Sequence, residues 1–98
     1  MKQHRYRITV EHVAGKDPGD ALAPPLRFHA TNHDDLSAIV TRLRSRERWS
    51  DDDAAAIAIG LKLLSEQVLL HRDDALLASL KGPLGAFIAE LKQLPDPD

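Results

Sequence analysis

The sequence predicts an α+β fold in the order β-β-α-α-α-α: a two-stranded antiparallel sheet packed against a helical layer with one long, mostly buried central helix. Three observations predict it. Two short segments near the N-terminus alternate apolar and polar residues, the mark of half-buried strands. A segment from Ser50 to about Arg72 is apolar around most of its circumference. The remaining chain spaces its apolar residues three and four apart and places capping residues ahead of each run.

The first strand is read over His4 to Val13. Tyr6, Ile8 and Val10 point one way, and Arg5, Arg7, Thr9 and Glu11 the other. Residues 14–25, AGKDPGDALAPP, hold three prolines, two glycines and two aspartates and read as a loop. Leu26 to Thr31 alternates again, with Leu26 and Phe28 on one face and Arg27 and His29 on the other. Matching the apolar faces sets Val10 opposite Phe28 and Ile8 opposite Ala30. On the polar face that register pairs Glu11 with Arg27 and Thr9 with His29. A two-stranded sheet is marginal alone and needs helices on its apolar face, while its open edges can accept a second copy.

Asn32 is the expected N-cap of the first helix, with Asp34 and Asp35 in its first turn and Leu36, Ile39, Val40 and Leu43 as its stripe. The long helix starts at Ser50, with Asp53 at the spacing of its N3 partner. Ile57, Leu61, Leu64 and Val68 form one stripe, and Ala56, Ile59, Leu63 and Leu70 a second, leaving a narrow polar strip at Lys62 and Glu66. Such a helix must be buried on two sides, by its own domain or by a partner chain. His-Arg-Asp-Asp then breaks it, and Asp73 or Asp74 caps a short helix with Leu76, Leu77 and Leu80. Lys81-Gly82-Pro83 reads as one helix ending at Gly and the next starting at Pro. Leu84, Phe87, Ile88 and Leu91 stripe the last helix. Residues 1–94 are expected to form a single compact domain, and residues 95–98 a disordered acidic tail.

Read together, KQHRYRITVEH, NHDDL, AIAIGLKLLSEQVLLHRDDALLASL and FIAELK give the chain a family likeness. It resembles the small bacterial proteins grouped as domain of unknown function 3861, over nearly its whole length apart from the Pro-rich loop. That family has no established activity, so no residue inherits a role. The resemblance implies a complete, stand-alone domain of a bacterial, cytoplasmic protein.

Composition narrows the function classes. Apolar residues make up 43% and charged residues 29% of the 98, which is ordinary for a globular domain. A net charge of −2 argues against bulk attraction to nucleic acid or anionic membrane. With no cysteine, the chain can hold no disulfide, thiolate zinc site, iron–sulfur cluster or cysteine nucleophile. The N-terminus has no apolar signal region, and the longest apolar run, Ala54 to Ile59, is far short of the ~20 residues of a membrane span. Cytoplasmic location is the resulting expectation.

Candidate chemistry is sparse. Five histidines invite a metal reading, with His4 near His33 and Asp34 or Asp35 as a carboxylate. No H-x-H occurs, however, and no helix carries two histidines at H-x-x-x-H spacing, so no metal site is assigned. Arg42, Arg44, Arg46 and Arg48 form a basic cluster, but Glu47 interrupts it and Asp51–Asp53 follow at once, which disfavours nucleic acid. The paired aspartates all fit helix starts, and neither a G-x-S-x-G elbow nor a Gly-rich phosphate loop is present. No catalytic residue and no cofactor is therefore assigned. The expected function is a non-enzymatic interaction module that binds itself as a homodimer, or another protein. Its contact is expected at Ile59, Leu63 and Leu70 of the long helix or at the sheet edge. The alternative is a small-molecule or anion binder built on Arg5, Arg7, Arg27 and His29 of the polar sheet face.

Overall fold

The computed structural model describes residues 2–97; Met1 and Asp98, each at an end of the predicted domain or tail, lie outside the described residues. The element order is β1 (His4–Val10), β2 (Leu26–Asn32), α1 (Leu36–Ser45), α2 (Asp51–Leu70), α3 (Ala75–Ala78) and α4 (Lys81–Lys92). The two strands form an antiparallel sheet and the four helices follow it, the α+β architecture that the hydrophobic periodicities predict.

The sheet is in a different register from the one expected from the sequence. Ile8 lies opposite Phe28, Tyr6 opposite Ala30, and Val10 opposite Leu26, a slip of two residues. A two-residue slip keeps every side chain on its face, so the hydrophobic pattern cannot distinguish the two registers. The polar pairs change with it: Arg27 faces Thr9, not Glu11, and His29 faces Arg7, not Thr9. β1 ends at Val10, three residues earlier than its alternation suggests, and the connection runs from residue 11 to residue 25. That connection is tied by its own bonds. The Asp17 N–H donates to Asp20 Oδ2 at 2.9 Å, Gly19 takes φ +86°, and the Ala23 N–H donates to His12 Nδ1 at 2.9 Å.

Helix starts follow cap chemistry. Ser50 Oγ accepts from the Asp53 N–H at 3.1 Å, as the spacing predicts, and Asp51, Asp52 and Asp53 complement the positive end of α2. Asp74 caps α3 through bonds from the Leu76 and Leu77 amides. α1 is capped by Asp35, which accepts from the Ser37 and Ala38 amides. Asn32 is thus not its cap; it ends β2 instead, for a reason that lies at the helix–sheet junction. α4 takes Gly82 and Pro83 into its own first turn, so Gly82 does not end the preceding helix. α1 closes at Glu47, which is held at φ 58°, a left-handed conformation that residues with a Cβ seldom adopt.

The core sits where α1 crosses α2. Ala54 and Ala58, one turn apart on α2, are fully buried against Leu43 of α1, with Ile39, Val40, Trp49, Ile57 and Leu91 packed around them. Alanine at both positions lets the two helix backbones approach closely. Elsewhere α2 is not the mostly buried helix that its composition predicts: only Ala54, Ala58, Glu66 and Val68 of its 20 residues are buried. The reason is a shortage of cover. α3 is one turn long, α4 meets the core cluster through Leu91, and the sheet reaches only the C-terminal half of α2. The radius of gyration is accordingly 15.9 Å, against about 13 Å for a closely packed domain of this length.

Candidate functional site

Charged and polar side chains converge where β2 turns into α1 beneath the middle of α2. Asn32, 1% exposed, is the anchor. Its Nδ2 donates to the Lys62 carbonyl at 3.0 Å, and its Oδ1 accepts from the Asp34 N–H at 2.9 Å. Tyr6 on β1 braces the same turn: its hydroxyl donates to the Asp34 carbonyl at 3.3 Å and accepts from the Leu36 N–H at 3.0 Å. The observed register delivers Tyr6 and Asn32 to this place, with His4 opposite Asn32 at the root of the sheet.

On this frame sit an ion pair and a histidine–carboxylate contact. The Lys62 ammonium contacts the Asp34 carboxylate, and His33 Nδ1 lies 3.2 Å from Glu66 Oε1. Glu66 is 3% exposed and also accepts from Gln3 Nε2 at 3.5 Å. Lys62 and Glu66 therefore face inward, whereas the helical pattern marks them as the solvent strip of α2. Each buried charge has a partner, which is the condition for tolerating it. The hydrogen bond from Lys62 holds the Asp34 carboxyl below its ordinary value near 3.8, and the positive charges of Lys62, His33 and Lys92 add to the effect against some desolvation.

The sign of the linkage follows from that direction. A carboxyl whose folded pKa is depressed adds stability above its unfolded pKa and loses it as pH falls through the folded value. Asp34→Asn is therefore expected to destabilise the domain at pH 6, with the gap to the unmodified chain closing as pH drops below about 4. Urea unfolding between pH 6 and pH 3 measures it. A gap that stays constant over that range would mean that the ion pair contributes nothing.

The other residues singled out by the sequence are placed as follows. Arg5, Arg7 and His29 line a shallow recess of about 430 Å³ together with Thr31, Gln67 and Leu70. Arg27, beside Thr9 nearer the hairpin tip, is not part of it. Of the α2 stripe, Ile59 and Leu63 are half-buried and Leu70 is 56% exposed at the edge of the same recess. His4 stacks on Tyr6 with ring centroids 6.1 Å apart and does not join His33 in a ligand set. Among the described residues no three histidine or carboxylate side chains converge as a metal site. The arginine cluster is dispersed: Arg44 donates to the Asp51 carbonyl, Arg46 pairs with Asp96, and Arg48 lies over the Trp49 ring. Trp49 itself packs on the core cluster that includes Ala54, as a residue preceding an N-cap often does.

The apolar sheet face is covered only at its root. Tyr6, Ile8 and Ala30 are half-buried, but Val10, Leu26 and Phe28 are 54%, 57% and 42% exposed. Periodicity identifies that face, but gives no sign that the helices stop short of it.

A hairpin covered at its root by helices, with a charged knot at their junction, is the class of domain that these elements define. The chain belongs to the family described as a domain of unknown function with solved structure (DUF3861), which matches residues 4–93. It is also similar to a protein of unknown function from Pectobacterium atrosepticum, known from a crystal structure at 2.20 Å resolution. The two share 27% identity over 94% of this chain and 99% of that one, with a TM-score of 0.78. None of the curated proteins matches. Among the described residues no helix is long and apolar enough to cross a membrane.

Proposed function

We propose that this domain is a non-enzymatic protein–protein contact module that assembles with a second copy of itself through the apolar face of its hairpin. Excess surface carries the reading. The chain exposes 7677 Å², where a monomer of 10.8 kDa normally exposes roughly 5,500 Å². The surplus exceeds the ~800 Å² that each partner buries in a standard interface. Part of it lies on the sheet, where Val10, Leu26 and Phe28 form one uncovered apolar face on a two-stranded sheet that is marginal without cover. Leu70 of α2, 56% exposed, stands beside the same sheet at the edge of the Arg5–Arg7–His29 recess. A self-complementary patch of this kind suits a two-fold dimer.

The test is the oligomeric state. Native mass spectrometry and light scattering over a concentration series are expected to show a dimer. Phe28→Asp should weaken it by about 100-fold or more, as loss of a buried interface aromatic does. The Phe28 variant should retain its helical circular dichroism, because that side chain is outside the α1–α2 core. A protein that stays monomeric to about millimolar concentration would rule the reading out.

A further inference from the structure

Between α1, α2 and α4 the helical layer is not closed. A cleft of about 870 Å³ opens there, within the ~300–1,000 Å³ range of small-molecule sites. Its walls are apolar, with Leu43 from α1, Leu61 and Val68 from α2, and Leu84 and Ile88 from α4. Its charge is predominantly positive. Five cationic side chains and two carboxylates line it, a net of +3 in a chain whose net charge is −2, histidine being neutral in both counts. The two carboxylates, Asp34 and Glu66, are already engaged by Lys62 and His33. Among the described residues Arg42, Lys81 and Lys92 form no ion pair.

The polar end of the cleft can be placed. Lys92, at the end of α4, lines the cleft together with Asp34 and Lys62. Ser65, one turn from Leu61 in the cleft lining, has a buried hydroxyl with no hydrogen-bond partner. An unsatisfied buried hydroxyl is costly, and a bound acceptor or donor would relieve it.

We propose that this cleft binds a small amphipathic anion, an apolar chain or ring bearing a single carboxylate or phosphate. The apolar body lies between α2 and α4 against Leu61, Leu84 and Ile88. The head group takes charge-assisted hydrogen bonds from Lys92 and Arg42, and the Lys62–Asp34 pair keeps Lys62 committed to the floor. The site is distinct from the hairpin face, so it stands whether or not the domain dimerises.

The probes are decanoate and decyl phosphate, with decanol as the uncharged control, all below their aggregation limits, titrated into the full chain. Calorimetry and amide chemical shifts are the readouts. At least one anion is expected to bind saturably at one site per chain, and which one binds tighter tells carboxylate from phosphate. Decanol should bind at least about tenfold more weakly. The double variant Lys92→Gln, Arg42→Gln, both exposed positions, should lose about tenfold in affinity, whereas Arg7→Gln on the sheet should not. Amide shifts should centre on Ser65, Leu84 and Ile88. Equal binding of decanol, shifts centred on Ile8 and Phe28, an unaffected double variant, or no saturation by about 1 mM would each overturn the proposal.

Discussion

Replacing Asn32 by alanine is expected to destabilise the domain by about 2–3 kcal/mol, a large share of what a chain of this size has. The amide spans two backbones: it donates to the Lys62 carbonyl of α2 and accepts from the Asp34 N–H of the turn. With 1% exposure, water cannot replace either bond once the side chain is gone. Each orphaned backbone group then carries its own desolvation cost, about 1–3 kcal/mol before relaxation. Asn32→Asp is the sharper variant, because it is nearly isosteric. It keeps the acceptor for Asp34 but sets a carboxylate against the Lys62 carbonyl, and its cost should equal or exceed that of alanine. Urea unfolding at fixed protein concentration, with the slope unchanged, measures both. A cost below about 0.5 kcal/mol for either would mean that the amide does not organise the junction.

The same residue shows where the sequence is legible and where it is not. Local signals read correctly: the Ser50–Asp53 cap, the Leu36–Leu43 stripe and the alternation of both strands need only the residues involved. Asn32 before two aspartates also looks like a local cap signal, yet Asp35 takes that role because Asn32 is held by a helix 30 residues away. The register fails for a related cause. Periodicity fixes which face each side chain takes but not a shift of two, and here the choice places Tyr6 and Asn32 at the turn. Helical periodicity also assumes that polar residues face water. On α2 that rule inverts the helix, since Lys62 and Glu66 point inward to Asp34 and His33. Neither pair shows in the periodicity of α2, because their partners lie on another element. Strand alternation places Arg5, Arg7, Arg27 and His29 on one face, but which of them meet Gln67 and Leu70 of α2 depends on the register and on where α2 lies against the sheet.

Ala58→Leu is expected to cost about as much as a large core deletion, although it adds apolar volume. Ala58 is fully buried where α2 meets Leu43, and Ala54 one turn earlier is fully buried in the same cluster. Overpacking of this kind costs about 1–3 kcal/mol through off-rotamer side chains and displaced backbone. Leu43→Ala removes the opposing volume and should cost about 2–5 kcal/mol, because few buried apolar residues share the load. The informative molecule is the double variant. If Ala58 and Leu43 contest one space, leucine at 58 fills the cavity left at 43, and the combined loss falls short of the sum by at least about 1 kcal/mol. Thermal and urea unfolding of the four proteins close the cycle. Additive losses would mean that α1 does not seat on the Ala54–Ala58 ridge. That seat also fixes Arg42, carried by α1, over the cleft. The single Ala58→Leu variant should therefore lower affinity for decanoate or decyl phosphate even under conditions where it stays folded, an effect that packing alone transmits to the charged rim.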